Sequence, residues 1–180
     1  MHTPPPIDLD LLAFFNRPGT PWLDGVMEAA SNRWVLIAAA VLCGIYIWRK
    51  SPHGLFAAVL FGVAIGAADL ISVRLVKPQV ERVRPCKADP KHVAFPIGCG
   101  AGQSFPSSHA SDTAAAAAVF AWAVPKVSPV FIALTIVVGI SRVYLGVHWP
   151  TDVLAGWALG AAVGVGLLLL NRLRYAAVRS

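Results

Sequence analysis

Long runs of apolar residues without a charge dominate the chain. The runs cover residues 34–48, 55–68, 113–124, 127–140 and 153–170. The hydrocarbon core of a bilayer is about 30 Å thick and needs about 20 helical residues, so the shorter runs must extend into their flanks. The pattern therefore predicts an all-α integral membrane protein with a bundle of about five transmembrane helices.

The start of the chain follows a different pattern. The stretch TPPPIDLDLLAFFNRPG places leucines and phenylalanines after an acidic, proline-rich opening. It is too short to span a bilayer, and it lacks the basic residues that precede the hydrophobic core of a signal peptide. We predict an N-terminal interfacial amphipathic helix within residues 1–20, ended by Pro18-Gly19, in a single transmembrane domain of residues 1–180.

Residues 78–106 are polar and rich in proline and glycine, which predicts a loop. Cys86 and Cys99 lie in this loop, whereas Cys43 lies in the first apolar run and is expected to be a free thiol. In an oxidising compartment the two loop cysteines could form a disulfide, and the alternative is that both are free.

Composition and charge limit the kinds of binding partner that the chain is expected to have. Of the 180 residues, 57% are hydrophobic and 13% are charged, whereas charged residues make up about 25% of a soluble domain. The net charge is +6, but no continuous basic patch occurs along the sequence. We therefore expect local anion sites and a membrane partner, and no nucleic-acid surface.

The distribution of cations predicts the orientation. Five spans would collect the following cations at one end of the bundle, with no acidic residue among them: Arg49, Lys50, Lys126, Arg172, Arg174 and Arg179. Lysine and arginine accumulate on the cytoplasmic side of membrane proteins. We predict a multi-pass protein of the cell (inner) membrane with a cytoplasmic C-terminus. The loop of residues 78–106 and the active site would face the periplasm or the exterior.

Polar side chains gather at the predicted outer ends of the spans. The clusters are Lys77 with Arg84, Ser107-Ser108-His109, and Arg142 with His148 and Asp152. The cations can neutralise a phosphate dianion, and an arginine can grip two of its oxygens. The backbone N–H groups of residues 107–109 open a predicted helix, where an anion is favoured. One such residue alone could be an interfacial hydrogen-bonding group, but together they predict a phosphate site.

The spacing of His148 and Asp152 suggests a nucleophile. On a helical turn the carboxylate can hold one ring nitrogen and leave the other free to attack phosphorus. His109 can then protonate the leaving oxygen. We expect a two-step reaction through a covalent phosphohistidine that water later hydrolyses.

The same residues resemble the signature motifs of the type 2 phosphatidic acid phosphatases. The matching motifs are Lys77-x6-Arg84-Pro85, Pro106-Ser-Ser-His109 and Ser141-Arg142-x5-His148-x3-Asp152. The resemblance implies that His148 is the nucleophile, Asp152 its partner and His109 the general acid. It also implies a reaction without a metal ion or another cofactor.

The resemblance further assigns a set of phosphate-binding residues: Lys77, Arg84, Ser107, Ser108 and Arg142. The family pattern usually has glycine where this chain has Ser108. A serine amide can still donate to phosphate if its backbone is helical, so the departure affects only the detailed geometry.

The predicted activity is hydrolysis of a phosphomonoester or diphosphate on a lipid head group. Undecaprenyl diphosphate, phosphatidylglycerophosphate, phosphatidate and lipid A all present such a group at the membrane surface. A vanadate-dependent haloperoxidase would share the anion site, but the apolar spans argue against it. A non-catalytic lipid-phosphate binder or transporter would need the cations but not a nucleophile.

Glycine spacing predicts where helices approach closely. The motifs Gly62-xxx-Gly66 and Gly156-xxx-Gly160-xxx-Gly164 lie within apolar runs. Small residues at this spacing let two helix backbones pack against each other.

Asp112 lies outside the signature motifs, three residues after His109. On a helix it would share a face with His109 and could raise the pKa of that imidazole. The alternative is a polar contact with the loop or with Arg142.

Overall fold

The computed structural model describes residues 4–17, 19–94 and 98–179, and every regular element in them is helical. The α-helices are α1 (Pro6–Phe15), α2 (Pro21–Ser31), α3 (Arg33–Lys50), α4 (Gly54–Leu70), α5 (Lys77–Val80), α6 (Pro85–Ala88), α7 (Ser108–Ala123), α8 (Ser128–Tyr144) and α9 (Pro150–Arg179). A π-helical segment, Ile71–Val76, continues α4 into α5. The predicted all-α class is confirmed. Pro18 and the side chains of Arg174 and Arg179, on which predictions were based, lie outside the described part.

Among the described residues, three helical stretches are long and apolar enough to cross a membrane: Gly54–Ala88, Pro125–Tyr144 and Pro150–Leu173. Helices α2 and α3 meet at an angle of 62° and would add a fourth if the pair forms one span. The remaining predicted span corresponds to α7, whose 16 residues extend only about 24 Å. A multi-pass helical membrane protein is confirmed, and three or four of the described stretches could cross a membrane by length and composition alone.

The break between α2 and α3 has a local cause. The side chain of Asn32 accepts hydrogen bonds from the backbone N–H of Trp34 at 2.9 Å and of Val35 at 3.3 Å. This is an N-cap for α3, and it forces the chain out of helical geometry at Asn32. Helix α2 therefore ends at Ser31, and its last carbonyl groups are free for other partners.

Helices α7 and α9 pack in close contact. Gly156, Gly160 and Gly164 of α9 lie against α7, and a Cβ added at Gly160 would be 2.0 Å from a backbone oxygen of α7. The predicted close approach along α9 is confirmed. The prediction for Gly62-xxx-Gly66 is wrong within this chain, because a Cβ at either glycine would meet nothing within 4 Å.

Helix α1 forms within the predicted N-terminal segment and is fixed to the protein by an acidic residue. Leu12 and Asp8 are buried, whereas Leu9 and Phe14 are exposed. The carboxylate of Asp8 accepts the backbone N–H of Thr151 at 2.8 Å, which joins α1 to the start of α9.

The predicted loop of residues 78–106 contains more helix than its composition suggests. Helix α5 extends to Val80, and Pro85 begins the short helix α6. Proline fits the first position of a helix, because that residue needs no hydrogen-bonded N–H. The prediction of a continuous loop is thus wrong at these positions. Residues 95–97 lie outside the described part.

Candidate active site

The predicted site residues lie at helix ends on one side of the bundle. They are the first residue of α5 (Lys77), the residue before α6 (Arg84), the start of α7 (Ser107, Ser108 and His109), the last turn of α8 (Arg142), the α8–α9 connection (His148) and the first turn of α9 (Asp152). Helix ends carry backbone groups without helical partners, so polar side chains and ligands are favoured there.

His148 is held between Arg84 and Asp152. Its Nε2 lies 3.1 Å from Arg84 Nη1, and its Nδ1 lies 3.5 Å from Asp152 Oδ2. A guanidinium can only donate, so Nε2 must be the acceptor and must carry a lone pair. The proton of the neutral imidazole is then on Nδ1, on the side of Asp152. This is the tautomer that a nucleophilic Nε2 requires.

The surroundings of His148 favour its neutral form. Burial lowers the pKa of His148 to about 3. This value already includes the hydrogen bond with Asp152, which raises the pKa, and the charges of Arg142 and Arg84, which lower it. The imidazole is therefore uncharged at physiological pH and available for attack.

Asp152 is fully buried and has several donors around its carboxylate. Oδ2 accepts the backbone N–H of Trp149 at 2.9 Å and the hydroxyl of Ser104, and Oδ1 accepts Arg82 Nη1 at 2.7 Å. The backbone carbonyl of Asp152 accepts the N–H of Ser107 at 2.9 Å. Asp152 thus links the start of α9 to the start of α7.

Lys77 and Arg84 converge on the segment that precedes α7. Lys77 Nζ donates to the carbonyl oxygens of Pro106 at 2.5 Å and Gln103 at 3.3 Å. Arg84 Nη2 donates to the same Gln103 oxygen at 3.3 Å, and its Nη1 donates to Val147 O at 2.8 Å. The two cations therefore lie side by side, next to His148.

Four buried side-chain polar atoms have no partner among the described residues: Ser107 Oγ, Asp112 Oδ1, Arg142 Nε and Trp157 Nε1. Two of them, Ser107 Oγ and Arg142 Nε, lie in the predicted site. A buried donor without a hydrogen bond costs about 1–3 kcal/mol, so such atoms are rare unless a ligand satisfies them. Both belong to residues that the sequence assigns to phosphate binding. Ser108 Oγ instead lies 3.1 Å from the hydroxyl of Ser72.

His109 contacts the C-terminal end of α2. Its Nε2 donates to Ser31 O at 3.1 Å, and Arg142 Nη1 donates to the same oxygen at 3.4 Å. A carbonyl oxygen only accepts, so Nε2 of His109 carries a proton. The backbone carbonyl of Arg142 accepts the N–H of His148 at 3.2 Å. Arg142 therefore connects the surroundings of the two histidines.

Several residues of this site were not predicted from the sequence: Asp8, Ser31, Arg82, Ser104 and Thr151. Arg82 and Thr151 had a usable signal, because they lie inside the first and third motifs, next to predicted site residues. Asp8, Ser31 and Ser104 contact the site from segments outside these motifs.

The loop beside the site is covalently closed. Cys86 and Cys99 form a disulfide with their Cα atoms 5.7 Å apart, and Cys43 is free. The N–H of Cys86 donates to the carbonyl of Gly146 at 3.1 Å. The disulfide thus holds the loop next to the α8–α9 connection that carries His148.

Asp112 takes neither of the two roles considered for it. Its Oδ1 is buried without a partner among the described residues. The hydrogen bonds of His109 and Arg142 go to Ser31 and not to this carboxylate.

The fold and the site define a helical membrane protein with a buried, neutral histidine held between an arginine and an aspartate. The family model of the PAP2 superfamily matches residues 55–175. The chain belongs to the PAP2 superfamily.

Individual relatives are lipid phosphatases. The chain is 34% identical over 156 residues to phosphatidylglycerophosphatase B of Bacillus subtilis (strain 168), covering 78% of this chain and 71% of the relative. It is 37% identical over 131 residues to decaprenylphosphoryl-5-phosphoribose phosphatase of Mycobacterium tuberculosis (strain CDC 1551 / Oshkosh), covering 73% of this chain and 67% of the relative.

A solved structure shares the fold. The transmembrane PAP2-type phosphatidylglycerolphosphate phosphatase of Bacillus subtilis superposes with a TM-score of 0.73 at 26% identity, covering 92% of this chain and 85% of that chain. The predicted family and the predicted enzyme class, a membrane lipid phosphatase, are therefore confirmed.

Proposed function

We propose that this chain is a metal-independent phosphatase that removes a phosphate from a lipid head group through a phosphohistidine on His148. The proposal rests on the orientation of the His148 ring. Its Nδ1 lies next to Asp152, and its Nε2 carries the lone pair that can attack. The unpaired donors of Ser107 and Arg142 support an anion at the same place. The donors offered are cations and hydroxyls, which suit a phosphate and not a divalent metal ion.

In the first step, the Nε2 lone pair of His148 attacks phosphorus and the bond from phosphorus to the lipid oxygen breaks. His109 must carry a proton on both ring nitrogens when the substrate is bound; it transfers one of them to that oxygen and becomes neutral, and the lipid product leaves as an alcohol or a lipid monophosphate. Asp152 stabilises the positive charge that develops on the imidazole of His148. Lys77, Arg84 and Arg142 balance the charge on the phosphoryl oxygens.

In the second step, water attacks phosphorus and the bond between nitrogen and phosphorus breaks. His109, now neutral at the nitrogen that gave up its proton, accepts a proton from the water. Inorganic phosphate leaves, and His148 returns to its starting tautomer. Neither step requires a redox partner or a second substrate other than water.

The substrate class follows from the position of the site at the helix ends of a membrane protein. A lipid monophosphate or diphosphate, such as phosphatidylglycerophosphate, phosphatidate, lipid A or undecaprenyl diphosphate, would present its head group there while its chains remain in the bilayer. We propose that residues 1–180 act as one unit on such a lipid.

Phosphate release from a panel of these lipids, with purified protein in detergent, tests the proposed function. We expect turnover of at least one lipid phosphate by the wild type and by His92→Ala, but not by His148→Ala. His92 is a suitable control because it is an exposed histidine whose Nδ1 contacts Asp89 at 2.8 Å. If the wild type releases no phosphate, or if His148→Ala remains active, the proposal is wrong.

We also propose an orientation in the cell (inner) membrane with the active site facing the periplasm or the exterior and the C-terminus in the cytoplasm. The cations Arg49, Lys50, Lys126 and Arg172 near the opposite helix ends support it. A reporter cysteine in His92→Cys should react with a membrane-impermeant maleimide in intact cells. Labelling only after permeabilisation would contradict this orientation.

A further inference from the structure

Arg82 forms a buried bridge between two carboxylates on the side of Asp152 that faces away from His148. Its Nη1 donates to Asp152 Oδ1 at 2.7 Å, and its Nη2 donates to Asp8 Oδ2. Both carboxylate side chains are fully buried, and the side chain of Arg82 is 10% exposed. The guanidinium also lies over the ring of Trp149, 5.5 Å from its centroid.

Asp8 is fixed to the same place by a second set of contacts. Its Oδ1 accepts the N–H of Thr151 at 2.8 Å, and its Oδ2 accepts the Thr151 hydroxyl at 2.7 Å. That hydroxyl also accepts Arg82 Nη1 at 2.7 Å. Because Thr151 directly precedes Asp152, the N-terminal helix α1 helps to set the position of the first turn of α9.

The contacts of Arg82 favour carboxylates, and not a phosphate, as its main partners. Both terminal nitrogens of its guanidinium are engaged by Asp152, Asp8 and Thr151. Arg84, two residues further on, instead contacts His148. The two arginines of the first motif thus serve different partners.

The charges of Asp8, Arg82 and Asp152 affect how strongly Asp152 attracts a positively charged His148. Arg82 alone would neutralise Asp152 and weaken its attraction for a positive imidazole. Asp8 supplies a second negative charge, so that Asp8, Arg82 and Asp152 together retain one net negative charge. Arg82 also engages Oδ1 of Asp152, which leaves Oδ2 directed at His148.

We propose that Asp8 and Arg82 are positioning residues of the reaction. Arg82 orients the carboxylate of Asp152, and Asp8 offsets the charge of Arg82, so that α1 contributes to the activation of His148. This inference rests on the proposed function, in which His148 is the nucleophile.

Steady-state kinetics of Asp8→Asn and Arg82→Lys test the inference. Asparagine keeps the shape of Asp8 without its charge, and lysine keeps the charge of Arg82 without the fork that reaches two carboxylates. We expect kcat to fall about 10-fold or more, with KM changed less than about 2-fold, because only the transition state carries the positive imidazole. Asp10→Asn is the matched control, since Asp10 is an exposed acid on the same helix.

The same substitutions in an Asp152→Asn background distinguish action through Asp152 from action elsewhere. We expect no further fall in kcat there, because the charge that Asp8 and Arg82 support has been removed. An aryl phosphate, whose leaving oxygen is weakly basic, keeps the remaining rate measurable.

Three results would overturn the inference: rates equal to that of Asp10→Asn, a raised KM with unchanged kcat, or a full additional loss in the Asp152→Asn background. If Asp8→Asn fails to fold, as judged by its thermal midpoint, the kinetics of Arg82→Lys are used to test the inference by the same three criteria. An active wild type with normal variants would reject only this inference. An inactive wild type would reject the proposed function itself.

Discussion

The substitution Gly160→Ala tests whether the close packing of α7 on α9 determines the positions of the site residues. In Gly160→Ala, the new Cβ would lie 2.0 Å from Ser111 O and 2.9 Å from Ala115 N. Both neighbours are backbone atoms, so a change of side-chain rotamer cannot relieve the overlap. The two helices would have to separate by about 1.4 Å, because the contact must lengthen from 2.0 Å to at least 3.4 Å.

This separation would act directly on the proposed catalytic residues. Helix α7 begins next to Ser107 and carries His109, whereas α9 carries Asp152 in its first turn. A displacement of about 1 Å at a reacting geometry costs about 100-fold in rate, and we expect a loss of that order in kcat/KM. Overpacking should cost about 1–3 kcal/mol of stability, of which the higher helix propensity of alanine offsets up to about 1 kcal/mol.

Gly166→Ala is the matched control, because it makes the same substitution in the same helix. A Cβ at Gly166 would meet nothing within 4 Å. We expect this variant to keep wild-type activity and to gain up to about 1 kcal/mol of stability. Both variants would be compared by phosphate release and by thermal midpoint in the same detergent. Equal activity of Gly160→Ala and Gly166→Ala would refute the packing argument.

Three further predictions follow from the site. His148→Ala should abolish hydrolysis of every substrate, whereas His109→Ala should retain most activity on aryl phosphates, because an acid matters only when the leaving oxygen is basic; equal losses on lipid and aryl phosphates would contradict these roles. Activity should survive EDTA, and loss of activity in EDTA that returns with magnesium would contradict the metal-free mechanism. Vanadate should inhibit the enzyme, because it can imitate the five-coordinate transition state with His148 as axial ligand. Because the pKa of His148 is lowered to about 3 in the folded protein, unfolding takes up a proton below about pH 6.5 and stability falls as the pH drops. Between pH 6.5 and 5 this amounts to at most about 2 kcal/mol, and thermal midpoints of His148→Gln should lack this component.

Much of the site could be predicted because its chemistry is concentrated in short motifs. Arg142, His148 and Asp152 lie within one connection between two helices, and a spacing of four residues correctly suggested contact between His148 and Asp152. The glycine spacing of α9 also predicted a close helix approach, although it did not identify α7 as the partner. In each case the partners are close in sequence, or one helix face carries the whole signal.

The contacts that sequence reasoning missed join distant segments. Asp8 and Thr151 are 143 residues apart, and Ser31 and Arg142 are 111 residues apart. No periodicity links such pairs, and an aspartate near an acidic, proline-rich start is expected to be solvated. The role of Ser31 depends on the helix break at Asn32, which exposes a backbone carbonyl and not a side chain. The open surroundings of Gly62 and Gly66 likewise depend on which helices become neighbours.

The central claim is that His148 becomes covalently phosphorylated during turnover. The most direct measurement is a rapid-quench experiment with a substrate labelled in its transferred phosphate, followed by location of the label on the chain. We expect a phosphoenzyme that is stable in base and labile in acid, with the label on His148, and a larger amount in His109→Ala with an aryl phosphate because attack by water is slowed. Absence of labelled protein in both the wild type and His109→Ala, or a label that persists in His148→Ala, would contradict the account.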